Sequence, residues 1–241
     1  MQINFTQIFQ DSLNFMRNQR KTVLIFVGIF VVSQLINALV SVPMPSLGDN
    51  PNPSQQDIID ALSKVEPTAL IGSFLFQQLL MSFIATFGIA TIHHISQQNE
   101  NPINQGLMLT LRRFLGVVVL DVFMSLPLLF GLADVMSSFL SKNALSPLAF
   151  VSMVFGLFFF VRLCLSPVQS ALQVWRAGVK RNSVLIIYAL ITYLLLPLVV
   201  NTIGTILGSS FLSAIIGILA ALFQMFILVF TYRFYSLFMK V

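Results

Sequence analysis

Asp121 is the one acidic side chain that falls well inside an apolar stretch of this 241-residue chain. It sits about eight residues in from a basic flank, or roughly 12 Å at 1.5 Å per residue. Arg162 lies in the next apolar stretch, about four residues from the end on the same side, hence roughly 6 Å deep. The two stretches are sequential and antiparallel, so the difference in depth is within the reach of an arginine. An ionisable group at membrane depth costs a few kcal/mol and faces the interior of a bundle with a partner. Two chemistries fit. Asp121 carries protons or ions, or Asp121 and Arg162 form an intramembrane ion pair that fixes helix packing, with snorkelling of Arg162 to the head groups as a further structural reading. The structural readings are preferred.

The remaining reactive side chains read as structural. His93 and His94 end an apolar run, with Glu100 after them. Neighbours on a helix diverge by about 100°, so the two imidazoles are poorly placed to share one metal. The single cysteine, Cys164, lies inside an apolar run, which leaves no intrachain disulfide framework. No H-E-x-x-H, G-x-S-x-G, P-loop or G-x-G-x-x-G pattern occurs. An intramembrane hydrolase would need a nucleophile with its base or a carboxylate dyad, yet only one deep acid is present. The expectation is no enzyme, no cofactor and no metal.

The elements that must position these residues follow from composition. The chain is 57% hydrophobic and 9% charged, against about 45–50% and 25% in soluble domains, so lipid is the solvent for its apolar surface. Roughly 20 apolar residues cross a hydrocarbon core of about 30 Å. Six stretches qualify: 22–42, 68–92, 113–133, 147–166, 183–207 and 212–238. The fold class expected is therefore all-α, a polytopic membrane protein with six transmembrane helices in one integral membrane domain over 1–241. Its first span is too long for a signal peptide and no small-residue cleavage pattern follows it.

Charge sets the orientation. Of the 13 Lys and Arg residues only Lys64 and Lys142 fall on one side, and the other eleven fall opposite. By the positive-inside rule that other side is the cytoplasm, and both termini lie there. Net charge +5 is carried beside apolar runs and not in a separate basic domain, which points to anionic lipid and away from nucleic acid.

A regularity recurs before each odd span. Phe5, Ile8, Phe9 and Ser12 to Phe15 lead to Arg17, Arg20 and Lys21; Ile103, Leu107 and Leu111 lead to Arg112 and Arg113; Val168, Leu172 and Trp175 lead to Arg176, Lys180 and Arg181. Apolar spacing of three and four beside basic residues marks helices lying in the interface, with those eight cations as anionic-lipid contacts. The chain thus reads as three units of interfacial helix plus helical hairpin. The outer loop at 43–67 is Pro-rich, and within it a capping pattern at Ser54 to Asp57 starts a short amphipathic helix. Pro127 and Pro197 interrupt spans 3 and 5. Gly204 and Gly208, then Ser213, Gly217 and Ala221, form small-residue steps that would let spans 5 and 6 approach closely. Tyr232, Tyr235, Phe234 and Trp175 suit an aromatic belt at the inner interface.

The segment Phe9 to Gln19, followed at once by a span, resembles the start of the YciC-type family of uncharacterised bacterial inner-membrane proteins. Length, span number and the Ser166-Pro167 end of span 4 match that layout, while the inner segment from Pro167 to Asn182 is shorter than the family's pattern. The resemblance implies location in the bacterial inner membrane and no particular activity. The function expected is an accessory or structural role in envelope maintenance or membrane-complex assembly, with the lipid bilayer, anionic head groups and either a membrane-protein partner or a second copy as partners. The alternative is a small secondary transporter with Asp121 as coupling residue, for which Gln77, Gln78, Tyr188, Asn201 and Gln224 supply a thin polar lining.

Overall fold

The computed structural model describes residues 3–41, 67–119, 176–177, 180–195, 198, 202 and 212–239, and every regular element among them is helical. Three of these helices are long and apolar enough to cross a membrane: Arg20–Val40, Leu75–Ser96 and Ile215–Phe238. They coincide with expected spans 1, 2 and 6. Span 4, most of span 3 and the outer loop up to residue 66 lie outside the described residues.

Helix α1, Phe5–Asn18, begins where Asn4 takes an extended conformation and its Oδ1 accepts the N–H groups of Thr6 and Gln7 at 3.1 and 3.3 Å. That satisfies two of the donors every helix start leaves open. Spacing of four and three puts Ile8, Ser12 and Phe15 on one buried face. Ser12 Oγ donates to the Ile8 carbonyl at 2.7 Å, so the hydroxyl is satisfied within the helix. Gln19, at φ −106° and ψ 41°, breaks the chain between α1 and α2, Arg20–Val40. Helix α2 buries Thr22, Val23, Phe26, Val27, Phe30 and Ser33. Its other face carries Leu24, Ile25, Val32 and Leu35 exposed, a surface suited to hydrocarbon.

Helix α3, Pro67–Ser96, starts on a proline, whose missing N–H costs nothing at the first helical position. It ends in a Schellman turn: Gln98, at φ 58°, donates its N–H to the Ile95 carbonyl, and Asn99 donates to the His94 carbonyl. Helix α4 follows at 102–119. The sequence predicts an interfacial helix here followed by a separate span from residue 113. Instead the described part is one unbroken helix, so this unit lacks the break that Gln19 supplies in the first. Helix α5, Asn182–Ala189, passes into a π-helix over Leu190–Leu195. That wider register comes just before Pro197, which has no N–H to offer a helical ladder. Helix α6 is Leu212–Phe238.

The core lies toward the end of the bundle where α2 begins and α3 and α6 finish. There α6 is wrapped by α1, α2 and α3, with Ala221, Met225, Val229, Phe230, Phe234, Tyr235 and Phe238 buried. Toward its other end Ile215, Ile218 and Leu219 are exposed. Ring contacts tie the helices together: Phe26 meets Phe87 at 5.0 Å and Phe83 meets Phe114 at 5.3 Å between centroids. Within lipid there is little hydrophobic drive between helices, so such close packing and interhelical hydrogen bonds carry association.

Gly217 faces α2, where a Cβ would stand 3.3 Å from Gln34 Oε1, while the small residues expected on span 5, Gly204 and Gly208, lie outside the described residues. One sequence expectation is corrected by this packing. Phe234 and Tyr235 are 0% exposed and belong to the core, not to an interfacial belt.

Candidate functional site

The expected Asp121–Arg162 pair lies outside the described residues, as do Cys164, Trp175, Pro127, Pro197, Asn201, Gly204 and Gly208. The eight expected lipid-contacting cations are all described, and the structure separates them into different situations. Arg17, Arg20 and Lys21 are exposed at the elbow between α1 and α2; Arg112 and Arg113 are exposed on α4; Arg176 and Lys180 are exposed ahead of α5.

Arg181 is different. It is partly buried, its Nη1 donates to the Phe238 carbonyl at 3.1 Å, and its guanidinium carbon sits 5.8 Å from the Phe238 ring centroid. A cation at the end of α6 satisfies an orphan carbonyl and complements the negative pole of the helix. Part of the third basic cluster therefore fastens α5 to α6.

Helix α1 also turns out to have a protein surface beneath it. Phe5 stacks on Phe234 at 5.9 Å, Phe9 meets Phe226 edge-on at 5.1 Å, and the Arg233 guanidinium lies 5.6 Å from the Phe15 ring centroid. The buried face of the amphipathic helix is thus docked across α6, while Phe9 and Leu13 keep substantial exposed area. Arg233 is one of the eleven cations that the positive-inside count assigns to the cytoplasmic side. Here it clamps α1 by cation–π contact, and its buried Nε finds no hydrogen-bond partner among the described residues.

A polar cluster closes the end of α3. His93 Nδ1 lies 3.0 Å from the Tyr232 hydroxyl, which also hydrogen bonds Ser96. His94 turns to the loop instead: Asn99 Nδ2 lies 2.7 Å from His94 Nδ1 and 2.8 Å from Gln105 Oε1. The two imidazole rings, 5.6 Å apart at 65°, take different partners. Among the described residues no three His, Cys, Asp or Glu side chains gather at metal-binding range.

Deeper in the bundle, hydroxyls are used locally. Ser33 donates to the Phe30 carbonyl, Thr86 to Ser82 and Thr192 to Tyr188, at 2.7, 2.6 and 2.6 Å. Two amide oxygens are not so provided for: Asn37 Oδ1 and Gln224 Oε1 are buried with no hydrogen-bond partner among the described residues.

No family model matches the chain, and no solved structure does. It is 40% identical over 250 aligned residues to an uncharacterized protein of Haemophilus influenzae, with the whole of both chains covered.

Proposed function

We propose that this chain, which belongs to the same family as that Haemophilus influenzae protein, is a multi-pass protein of the bacterial inner membrane with six spans and both termini in the cytoplasm, working without catalysis as an accessory or structural component in envelope maintenance or membrane-complex assembly. Membership of the YciC-type family is part of the same proposal. The observation that supports it most is the use made of polar groups in the described helices: serine and threonine hydroxyls bond back to their own helix, and Tyr188 bonds Thr231 between helices, as in a scaffold. Polar groups aimed together at one cavity would suit a transport path better. The exposed cations at the α1–α2 elbow add a surface attracted to anionic head groups, worth about 1 kcal/mol per charge near a membrane.

The transporter reading keeps one structural observation in its favour. Asn37 Oδ1 and Gln224 Oε1, buried without partners among the described residues, are acceptors that a passing cation or water could use. Two measurements separate the readings. The accessory reading expects a membrane protein to co-purify in fixed ratio from native membranes in mild detergent, and expects Asp121→Asn to leave ion and proton flux in proteoliposomes unchanged. A flux that the wild type supports and Asp121→Asn abolishes, in a folded protein that purifies without a partner, would replace it.

A further inference from the structure

We propose that the α1–α2 elbow is a discrete binding site for the phosphodiester of an anionic phospholipid, distinct from the diffuse attraction of the other cations. This deepens the lipid-contact part of the preceding reading and rests on its membrane placement. Arg17, Asn18, Gln19, Arg20 and Lys21 line an open concave surface that contains three cations and no carboxylate. Sequence spacing places the three cations within five residues, and the break at Gln19 sets them at the junction between the two helices.

The gathering of like charge favours a counter-charge. Arg20 and Lys21 occupy the first turn of α2, the positive pole of a 21-residue helix, which has no acidic residue there and no side-chain cap on its open N–H groups. Cations at that pole are unfavourably placed, and an anion is favourably placed. Arg20 is also held in position: its Nε donates to the Arg17 carbonyl at 3.2 Å across the elbow. That bond leaves the two terminal nitrogens of the guanidinium uncommitted among the described residues, and a guanidinium fork matches the geometry of phosphate oxygens.

The level of the elbow selects the source of the phosphate. Helix α2 begins at Arg20 and spans about 31 Å of hydrocarbon at 1.5 Å per residue over its 21 residues. The cations are therefore at head-group depth, and α1 lies across α6 beside them with Phe9 and Leu13 exposed for contact with acyl chains. Other described cations are placed differently. Arg181 is bonded to the Phe238 carbonyl, and Arg112 and Arg113 project from the middle of a continuous helix.

The test uses the full-length protein in dodecyl maltoside, titrated with phosphatidylglycerol and with phosphatidylcholine, with bound lipid counted by native mass spectrometry. One phosphatidylglycerol is expected to bind at least tenfold more tightly than phosphatidylcholine. The triple variant Arg17→Gln, Arg20→Gln, Lys21→Gln should lose that preference, whereas the charge-matched triple variant Arg112→Gln, Arg113→Gln, Lys180→Gln should change it less than twofold. Equal losses in both triples would show diffuse attraction and overturn the site. So would displacement of the lipid by inorganic phosphate at comparable concentration, which would mark a soluble ligand. Should the elbow triple fail to fold, a photoactivatable head-group analogue of phosphatidylglycerol on the wild-type protein decides the matter: labelling within residues 17–21 supports the site, and labelling confined to other basic segments overturns it. Co-purification or flux results on the accessory role leave this outcome unaffected.

Discussion

The Tyr188 hydroxyl lies 2.6 Å from Thr231 Oγ1, and the Tyr188 ring lies flat on Phe234 at 4.3 Å between centroids, so one side chain of α5 is both hydrogen-bonded and stacked against α6. The two contacts can be separated by mutation. Tyr188→Phe removes the hydroxyl and keeps the stack, and should lower stability by about 1 kcal/mol, the usual scale for an interhelical hydrogen bond in a membrane. Tyr188→Ala removes both and leaves a void in a site that is 1% exposed, for a loss of about 3–5 kcal/mol. Unfolding in mixed micelles measures each. Equal losses would mean that the hydroxyl, and not the ring, supplies the attachment.

At Gly106, α4 packs directly against α3. A Cβ there would run into Thr91 Oγ1 and stand 2.9 Å from the Thr91 backbone N and Cα. Backbone cannot yield as a side chain can, so Gly106→Ala should push the helices apart at about 1–3 kcal/mol. Gly116 on the same helix has nothing within 4 Å of the corresponding position. Gly116→Ala should therefore be neutral or gain up to about 1 kcal/mol from helix propensity. Thermal unfolding of the pair in one detergent checks this; matching effects would show that helix propensity, and not the α3–α4 contact, governs both sites.

Gln98 holds a left-handed conformation at φ 58° because the Schellman turn after α3 demands it. That conformation costs a side-chain-bearing residue roughly 1–2 kcal/mol, and glycine almost nothing. Gln98→Gly should raise stability by about 1 kcal/mol, and Gln98→Val should lower it, since a β-branched residue is the least tolerant of positive φ. A shift of the unfolding midpoint in opposite directions for the two variants is the expected result.

What was legible beforehand follows from which signals are local. The spans at α2, α3 and α6 are continuous apolar runs of about membrane length, so their existence needed no tertiary information. The divergence of His93 and His94 followed from helical geometry alone. The docking of α1 was not legible, because Phe5, Ile8, Ser12 and Phe15 present the same amphipathic pattern whether the covering surface is lipid or α6. Arg181 and Arg233 were hidden for a related reason: a basic residue at the end of a span reads as a head-group contact, and only the positions of Phe238 and Phe15 show that each is engaged inside the protein. The continuity of α4 escaped because arginines at 112 and 113 suit a helix end as well as a helix middle. Gly106 carried no signal at all, since a helical glycine reveals a close approach only once Thr91 is opposite it.

The docking of α1 is the last relationship open to direct test. Ile8 is 0% exposed between α1 and the bundle, whereas Leu13 on the same helix is 48% exposed. Ile8→Asp puts a charge into the contact with α6, and a buried unpaired carboxylate is costly enough to release a helix held by one face. Leu13→Asp puts the same charge where solvent or head groups can receive it. In detergent, amide hydrogen exchange over residues 5–18 should accelerate at least tenfold in Ile8→Asp and by less than threefold in Leu13→Asp, while exchange in α2 and α3 stays unchanged in both. Fast exchange across 5–18 already in the wild type would show that α1 lies free of α6, and the ring contacts of Phe5 and Phe9 with that helix would then have no role in holding it.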